Sequence, residues 1–208
     1  MKITEFRGCR GLVFAEILAD DNTEGSGYKT GDVKPLAGSA EISKTVETSS
    51  ESKFYDNKAA LIIDSEGDDV VTFTISVPDD ETLAAITGRT YDKDKKAFID
   101  TPRKTKYFAV GYIIGEKSDK SDERYVWRLK GKFNIPDETA ATENNGTDAN
   151  NMQLEFRGIY TQHVFESLVD EETGEKLPAK SWYKRKSDGD VTEEQFFANV
   201  ATPDSTFA

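Results

Sequence analysis

The stretch RYVWRLKGKF, residues 124–133, decides the fold class because apolar and cationic residues alternate along it. The apolar side chains predicted to share one face are Tyr125, Trp127, Leu129 and Phe133. The cations predicted on the opposite face, called the cation row below, are Arg124, Arg128, Lys130 and Lys132. Val126 alone breaks the alternation. A period of two is typical of a half-buried β-strand, so the stretch predicts a strand with cations along one face.

Apolar runs elsewhere extend this pattern to a sheet. The predicted strands are residues 11–20, 59–67, 69–78, 106–114, 124–135 and 151–165. Ser65, Glu66 and Gly67 supply turn chemistry that predicts a turn between the second and third of these strands. In the last strand, the residues predicted to share a face are Met152, Leu154, Phe156 and Tyr160. Short hairpins are predicted at 91–100 and 168–178.

Two short helices accompany the strands. The first, residues 79–88, is predicted to begin at an aspartate N-cap and to end at Gly88. The second, residues 192–200, begins with Thr192, and Gln195 completes a capping box. The last residues, 201–208, are predicted to be loose. The fold class is therefore predicted to be mainly β: a single-domain antiparallel β-sandwich or barrel with one or two short flanking α-helices.

Residues 39–58 form a long polar segment without glycine or proline. Their serine and threonine content favours extended backbone over helix. Two interpretations stay open for this segment. It is either a solvated loop or an extended arm that becomes ordered against a partner, because long structureless loops are uncommon inside compact domains. Residues 136–151 are a second polar, flexible segment.

The composition excludes several classes of site. Lys and Arg total 27 and Asp and Glu total 39, a formal net charge of -12, which argues against an ordinary groove for duplex DNA. Cys9 and His163 are the single cysteine and the single histidine. They allow no disulfide within the chain and too few ligands for a structural Cys/His zinc site. We expect Cys9 to be semi-buried and His163 to be structural or exposed, rather than a catalytic pair.

The sequence shows no motif of a reactive centre. Dinucleotide-binding, Walker, nucleophile-elbow and zinc-protease motifs are all missing. Acidic residues cluster in turn-like segments, which favours solvated surface charge, and no segment has the spacing of an EF-hand loop. We therefore expect no metal and no cofactor. No signal-peptide pattern is found and no run approaches about 18 apolar residues, so we expect synthesis in the cytoplasm without membrane insertion.

Several long stretches resemble the major tail proteins of long, non-contractile-tailed phages and prophages of Gram-positive bacteria. They are GCRGLVFAEI at 8–17, KPLAGSAEISKTVETSSESKFYDNKAALIIDSEG at 34–67, YFAVGY at 107–112, and YVWRLKGKFNIPDETAATENNGTDANN at 125–151. The likeness extends more loosely to VATPD at 200–204. Residues 166–190 fall where this family is variable.

The resemblance implies a structural virion protein that catalyses no reaction. Such subunits are β-sandwiches with a flanking helix, and they form hexameric rings that stack into the tail tube, through which DNA passes without specific binding. The implied partners are further copies of the chain, a tape-measure protein, tail chaperones and a tail terminator. In this family an extended loop reaches the neighbouring ring. The residues expected to form this inter-ring stacking loop are Lys44, Thr45, Val46, Glu47, Thr48, Ser49, Ser50 and Glu51, with 136–151 as a second candidate.

The cation row has two open interpretations. In the first, it meets acidic residues on an adjacent strand or a neighbouring subunit, where cross-strand opposite charges contribute roughly 0.2–1 kcal/mol each. In the second, it is a solvated face with local ion pairs. We expect the row to serve as an inter-subunit sheet face.

Two other classes of function compete with the tail tube. A carbohydrate- or receptor-binding β-sandwich of a phage tail tip would use exposed aromatic residues, for which Tyr91, Trp182 and Tyr183 are the candidates. An enzyme with paired carboxylates, such as a glycosidase, is the third possibility. Glycan binding by a chain that never polymerises would favour the first rival, and activity on a cell-wall polymer would favour the second.

Overall fold

The computed structural model describes residues 8–23, 27–55, 58–115, 122–137 and 151–207, with the backbone alone at 51, 53–55 and 58–64. The strands are β1 (Cys9–Asp20), β2 (Tyr28–Thr30), β3 (Lys34–Pro35), β4 (Ser39–Tyr55), β5 (Lys58–Ile75), β6 (Thr90–Asp92), β7 (Ala97–Ile99), β8 (Phe108–Ile114), β9 (Arg124–Phe133), β10 (Met152–Gly158), β11 (Phe165–Val169), β12 (Lys176–Leu177) and β13 (Ser181–Arg185). The helices are α1 (Asp80–Thr87), α2 (Glu193–Ala198) and a 3₁₀ turn, Lys186–Asp188. The predicted mainly β class is confirmed.

One large antiparallel sheet organises the chain. Its main path runs β2-β1-β8-β9-β10-β5-β4, while β3 pairs with β1 and β13 pairs with β9. The central strand β9 has β8 along one side. Its other side is shared, because β13 pairs with residues 124–128 and β10 pairs with residues 131–133. Strand β9, residues 124–133, therefore pairs with three strands.

Each face of the sheet is covered by its own apolar cluster. The first cluster joins β1, β5, β8, β9 and β10 with Ile86 of α1, and the second joins β8 and β9 with α2, β11 and the C-terminal residues. Strand β8 serves both clusters by alternation, since Val110 and Tyr112 lie in the first and Ala109 and Ile113 in the second. The sheet is therefore buried on both sides along its centre.

Both helices begin at their predicted caps, and α1 ends at Gly88 as predicted, whereas α2 ends at Ala198, two residues before its predicted end. The Asp79 side chain accepts the Thr82 N–H at 2.9 Å, and Gly88 ends α1 with a φ of 75°. A Cβ at Gly88 would lie 2.3 Å from the Lys104 carbonyl oxygen, so only glycine fits there. In α2, Thr192 and Gln195 form the capping box. Among the described residues, no helix is long and apolar enough to cross a membrane.

The prediction of a strand–turn–strand at 59–78 is wrong, because these residues form the single strand β5 up to Ile75. Its partner is β4, so residues 39–55 of the polar segment form one side of a long hairpin rather than a loop. Val46 lies opposite Asp69 but Thr48 lies opposite Glu66, which leaves one extra residue on β5. The glycine-containing segment read as a turn is therefore a β-bulge.

Two further predictions fail near the C-terminal half. Strand β10 ends at Gly158, and Tyr160, predicted to share its buried face, is 48% exposed. The C-terminal residues are not loose, because the Phe207 ring stacks on Trp182 at 6.0 Å between ring centroids and Ala201 is buried. The predicted small hairpins are confirmed as β6–β7 and β11–β12.

Candidate assembly surfaces

The outer part of the β4–β5 hairpin, residues 48–66, leaves the sheet and is called the arm below. Strand β10 pairs with β5 only from Asp69 to Ile75. Within the described residues, the pairs from Thr48 and Glu66 outward to Tyr55 and Lys58 join only β4 and β5. At about 3.3 Å per residue the arm is roughly 25 Å long. It is a two-stranded ribbon that continues two strands of the body.

The predicted stacking segment, Lys44 to Glu51, is a strand that spans the bulge rather than a loop. Side chains from Lys44 to Ser50 are exposed. Lys44 nevertheless reaches Asp69, with its Nζ 2.9 Å from Oδ2. Glu47 lies 3.1 Å from a guanidinium nitrogen of Arg157. The second candidate, 136–151, lies mostly outside the described residues, which include only 136–137 and 151 of it.

The cation row does not exist as one row, because the register between β8 and β9 shifts. Val110 lies opposite Arg128, but Phe108 lies opposite Gly131. Opposed residues share a face, so Arg128 points toward the first cluster, while Lys130 and Lys132 point to the opposite face. The same shift moves Phe133 into the first cluster with Val126, away from Tyr125, Trp127 and Leu129. The register shift between β8 and β9 thus overturns the alternation predicted for β9.

Arg128 and Lys130 are both buried and both paired inside the chain. Arg128 is 8% exposed, and one of its terminal nitrogens lies 2.7 Å from Asp69 Oδ2. Its Nε and other terminal nitrogen donate to the Tyr112 hydroxyl at 3.2 Å. Lys130 is 5% exposed and lies 2.5 Å from Asp20. The acids that meet these two cations belong to the same chain.

The other two cations of the row contact aromatic rings. The Arg124 guanidinium lies 4.9 Å from the centroid of Tyr183, and Lys132 Nζ lies 4.3 Å from that of Tyr107. Such contacts contribute about 0.5–1 kcal/mol at exposed sites. An inter-subunit role for the row stays a prediction, and in the single chain only its two end residues are less than fully buried.

Asp20 joins the end of β1 to the segment before β11. Its carboxylate accepts the backbone N–H groups of Gln162 and His163 at 2.9 Å and pairs with Lys130. Burial raises the pKa of Asp20, but the Gln162 N–H, Lys130 and the His163 N–H together outweigh burial, so the pKa is lowered. Nothing in the sequence indicates this pairing, because an acid at a strand end is usually a surface charge.

A cleft of about 740 Å³ lies beside α2, between Gly11, Tyr125 and Phe197. Arg10 joins two carboxylates of its lining, with terminal nitrogens 3.0 Å from Glu123 and 2.5 Å from Glu193. Hydrogen bonding to Glu193 raises the pKa of Arg10 above its ordinary value. An arginine held between two carboxylates makes strong charge-assisted bonds, and here it connects β1 to α2.

His163 and Trp182, which the sequence singled out, make contacts inside the chain. The His163 ring lies 2.9 Å from the Asp21 carbonyl oxygen, past the end of β1, whereas Cys9 begins β1. The strand between them separates the two by roughly 35 Å, so they form no catalytic pair. Trp182, a candidate for sugar stacking, instead stacks on Phe196 at 5.5 Å. Tyr91 is half-buried and Tyr183 is 55% exposed.

Within the part of the chain that the structure describes, no group of three or more His, Cys, Asp or Glu residues could hold a metal ion. No protein-family model matches the chain, and the search of curated proteins finds no match.

Proposed function

We propose that this chain is a structural subunit that polymerises into the tail tube of a long-tailed phage, and that the arm makes the contact between successive rings. The observation that carries the proposal is the arm itself, a hairpin that continues β4 and β5 beyond the sheet, with polar residues along β4. The sequence resemblance to phage major tail proteins supports the same role.

The arm has the properties of an element that binds another copy of the chain. An isolated two-stranded hairpin is only marginally stable in water, so an arm of this length gains stability from a partner. The described side chains along its outer strand, Ser49, Ser50 and Ser52, are exposed. Strand β4 is an edge of the main sheet, and an edge offers backbone N–H and C=O groups to an incoming strand.

The net charge of -12 agrees with a conduit for DNA. A passage through which DNA slides must not hold its phosphates, and a surplus of acidic groups repels them. The two most buried cations of β9 are already neutralised by Asp69 and Asp20. They therefore add no free positive charge to a surface along which DNA would pass.

The arm can be removed without disturbing the body. Because Thr48 and Glu66 are opposed residues, replacing 49–65 with Asn-Gly would join them through a two-residue hairpin turn. We expect the parent to form rings and hollow tubes as concentration rises, and the armless variant to stay folded without stacking. Light scattering over a concentration series and negative-stain images of the same samples provide the measurement.

The matched control replaces the tip of another hairpin by the same two residues. Asp92 and Ala97 are opposed in β6–β7, so Asn-Gly in place of 93–96 shortens that hairpin. This control variant should form tubes like the parent. If the armless variant forms tubes of normal length, the proposal that the arm makes the contact between rings is contradicted. A parent that stays monomeric with tape-measure protein and tail chaperones added would contradict the tube itself.

A further inference from the structure

The junction between the arm and the body carries a cluster of charges that stacking alone does not explain. Strand β5 leaves the body at Asp69 and enters the arm at Glu66, and the bulge lies between them. Three cations from outside the hairpin reach this junction. Two are buried, Arg128 of β9 and Lys180, which immediately precedes β13. The third, Arg157 of β10, pairs with Glu47 on the exposed surface, where an ion pair contributes little.

On the body side of the bulge, Asp69 is held from two directions. It is 2% exposed, and its Oδ2 lies 2.7 Å from Arg128 and 2.9 Å from Lys44 Nζ. Arg128 is itself fixed by the Tyr112 hydroxyl. A buried ion pair with additional hydrogen bonds has one favoured geometry, since any displacement leaves a charge without its partner. The last body residue of β5 is therefore fixed in place.

On the arm side, one ammonium group holds both a side chain and the backbone. Lys180 is 8% exposed, and its Nζ donates to Glu66 Oε1 at 2.7 Å and to the Gly67 carbonyl oxygen at 2.6 Å. The Tyr160 ring lies 4.5 Å away. Burial lowers the pKa of Lys180, but Glu66, with Tyr160 and Asp69, raises it to a net value above the ordinary one.

Both cations belong to one rigid part of the body. Arg128 is the cross-strand partner of Ser181 in the β9–β13 pair, so Lys180 and Arg128 are adjacent in the sheet. A bulge disrupts the ladder locally and bends its strand. Beyond the bulge, no third strand within the described residues pairs with the ribbon. The direction of the arm therefore depends on the contacts at residues 66–69.

We infer that Arg128 and Lys180, with their partners Asp69 and Glu66, form a junction latch that sets the angle at which the arm leaves the body. Arg128 and Lys180 are positioning residues. The relevance of this angle to stacking rests on the proposed function, but the angle is a property of the single subunit. The latch presents the arm in one direction before a second copy arrives, which lowers the entropic cost of docking.

The test measures the distance between arm and body in dilute, unassembled protein. Cys9→Ser provides a background without native cysteine, and spin labels are placed at Ser49→Cys on the arm and Glu172→Cys in the β11–β12 turn. Both label positions are exposed. Pulsed electron paramagnetic resonance then gives the distance distribution. We expect Lys180→Met to broaden this distribution and to shift its mean.

The matched control is Lys106→Met. Lys106 also forms an ion pair, with Glu16, but it lies just before β8 and makes no described contact with the hairpin or with the labelled β11–β12 turn. This variant should give the distribution of the parent. Glu66→Ala is a second test variant that changes a side chain 55% exposed, so it tests the latch even where Lys180→Met impairs folding. It should broaden the distribution less, because the Gly67 carbonyl still accepts from Lys180.

The outcomes separate the latch from the proposed function. Distributions identical to the parent in both Lys180→Met and Glu66→Ala would overturn the latch, whatever the assembly assay shows. A broadened distribution in protein that still forms normal tubes would support the latch and contradict the stacking role of the arm. Broadened distributions with impaired tube formation would support both.

Discussion

The body and the arm of the β4–β5 hairpin use the same two strands in opposite ways. In the body, Val71, Phe73 and Ile75 are completely buried against β10 and the first apolar cluster. In the arm, the described side chains of β4 are exposed and the paired strands have only each other. Backbone pairing is continuous through both regions, so pairing alone does not distinguish them. Side-chain burial fixes the body, whereas a few charges at the bulge orient the arm.

The largest expected effect comes from removing a ring on the body side of the hairpin. Phe73 is 0% exposed, and Phe73→Ala should lower the free energy of unfolding by about 3–5 kcal/mol, since a buried ring is replaced by a cavity. Thr48→Ala, on the arm side of the same hairpin, should change it by less than about 0.5 kcal/mol. Urea unfolding of the dilute subunit measures both. Equal losses would mean that arm and body form one cooperative unit.

The next effect compares two arginines that each reach the hairpin. Arg128→Met should lower the free energy of unfolding by about 3 kcal/mol, because Asp69 stays buried with only Lys44 as partner. Arg157, paired with Glu47 across the exposed surface, provides the matched control. Arg157→Met should be indistinguishable from the parent in the same urea titration. A stable Arg128→Met protein would show that the buried pair does not hold the junction.

A smaller effect tests whether the C-terminal residues belong to the body. Phe207 is half-buried and stacks on Trp182 and Phe196. Phe207→Ala should lower the free energy of unfolding by about 1–2 kcal/mol. Thr206→Ala, at an exposed neighbour, controls for changes near the terminus. Coinciding thermal unfolding curves for Phe207→Ala and the parent would show that these residues do not stabilise the body and form the loose tail that the sequence predicts.

The smallest effect appears only in acid. Hydrogen bonds and Lys130 lower the pKa of Asp20 below its ordinary value of 3.8. A carboxylate with a lowered folded pKa stabilises the protein above that ordinary value, and the contribution disappears as pH falls through the folded pKa. The free energy of unfolding should therefore decline below about pH 4 more steeply in the parent than in Asp20→Asn. Parallel pH profiles would show that Asp20 contributes nothing to acid sensitivity.

Periodicity and capping residues predicted much of the body. Strand β1, the pair β8–β9, both helices and the small hairpins lie where the sequence places them. Two of the errors arise where the strand ladder is irregular, at Gly67 in the β4–β5 pair and beside Gly131 in the β8–β9 pair. Gly67 has the chemistry of a turn, and a bulge uses the same residue types. The register shift beside Gly131 places Phe133 on the opposite face from the predicted one, and the residues of β9 do not indicate this shift.

The candidate site was less predictable than the fold. The polar composition of 39–58 left a solvated loop and an extended arm equally open, because the length of β4 depends on its partner β5. Asp20, Asp69 and Lys180 look like surface charges in the sequence. Asp69 and Lys180 become buried, and the Asp20 side chain is left 8% exposed, only because strands distant in the chain meet. Stacking of Phe207 likewise depends on Trp182, which a single aromatic near the terminus does not indicate.

The shared edge of β9 has a consequence for the order in which the protein folds during synthesis. Residues 124–128 of β9 pair with β13, which is synthesised later. The indole N–H of Trp127 likewise donates at 3.0 Å to the carbonyl of Phe196, which is also synthesised later. A nascent chain that has emerged only to the end of β10 therefore displays Tyr125, Trp127 and Leu129 to the surrounding solution. Residues from Phe165 to Phe207 close this surface, so a ribosome that stalls before β13 would leave an aggregation-prone intermediate.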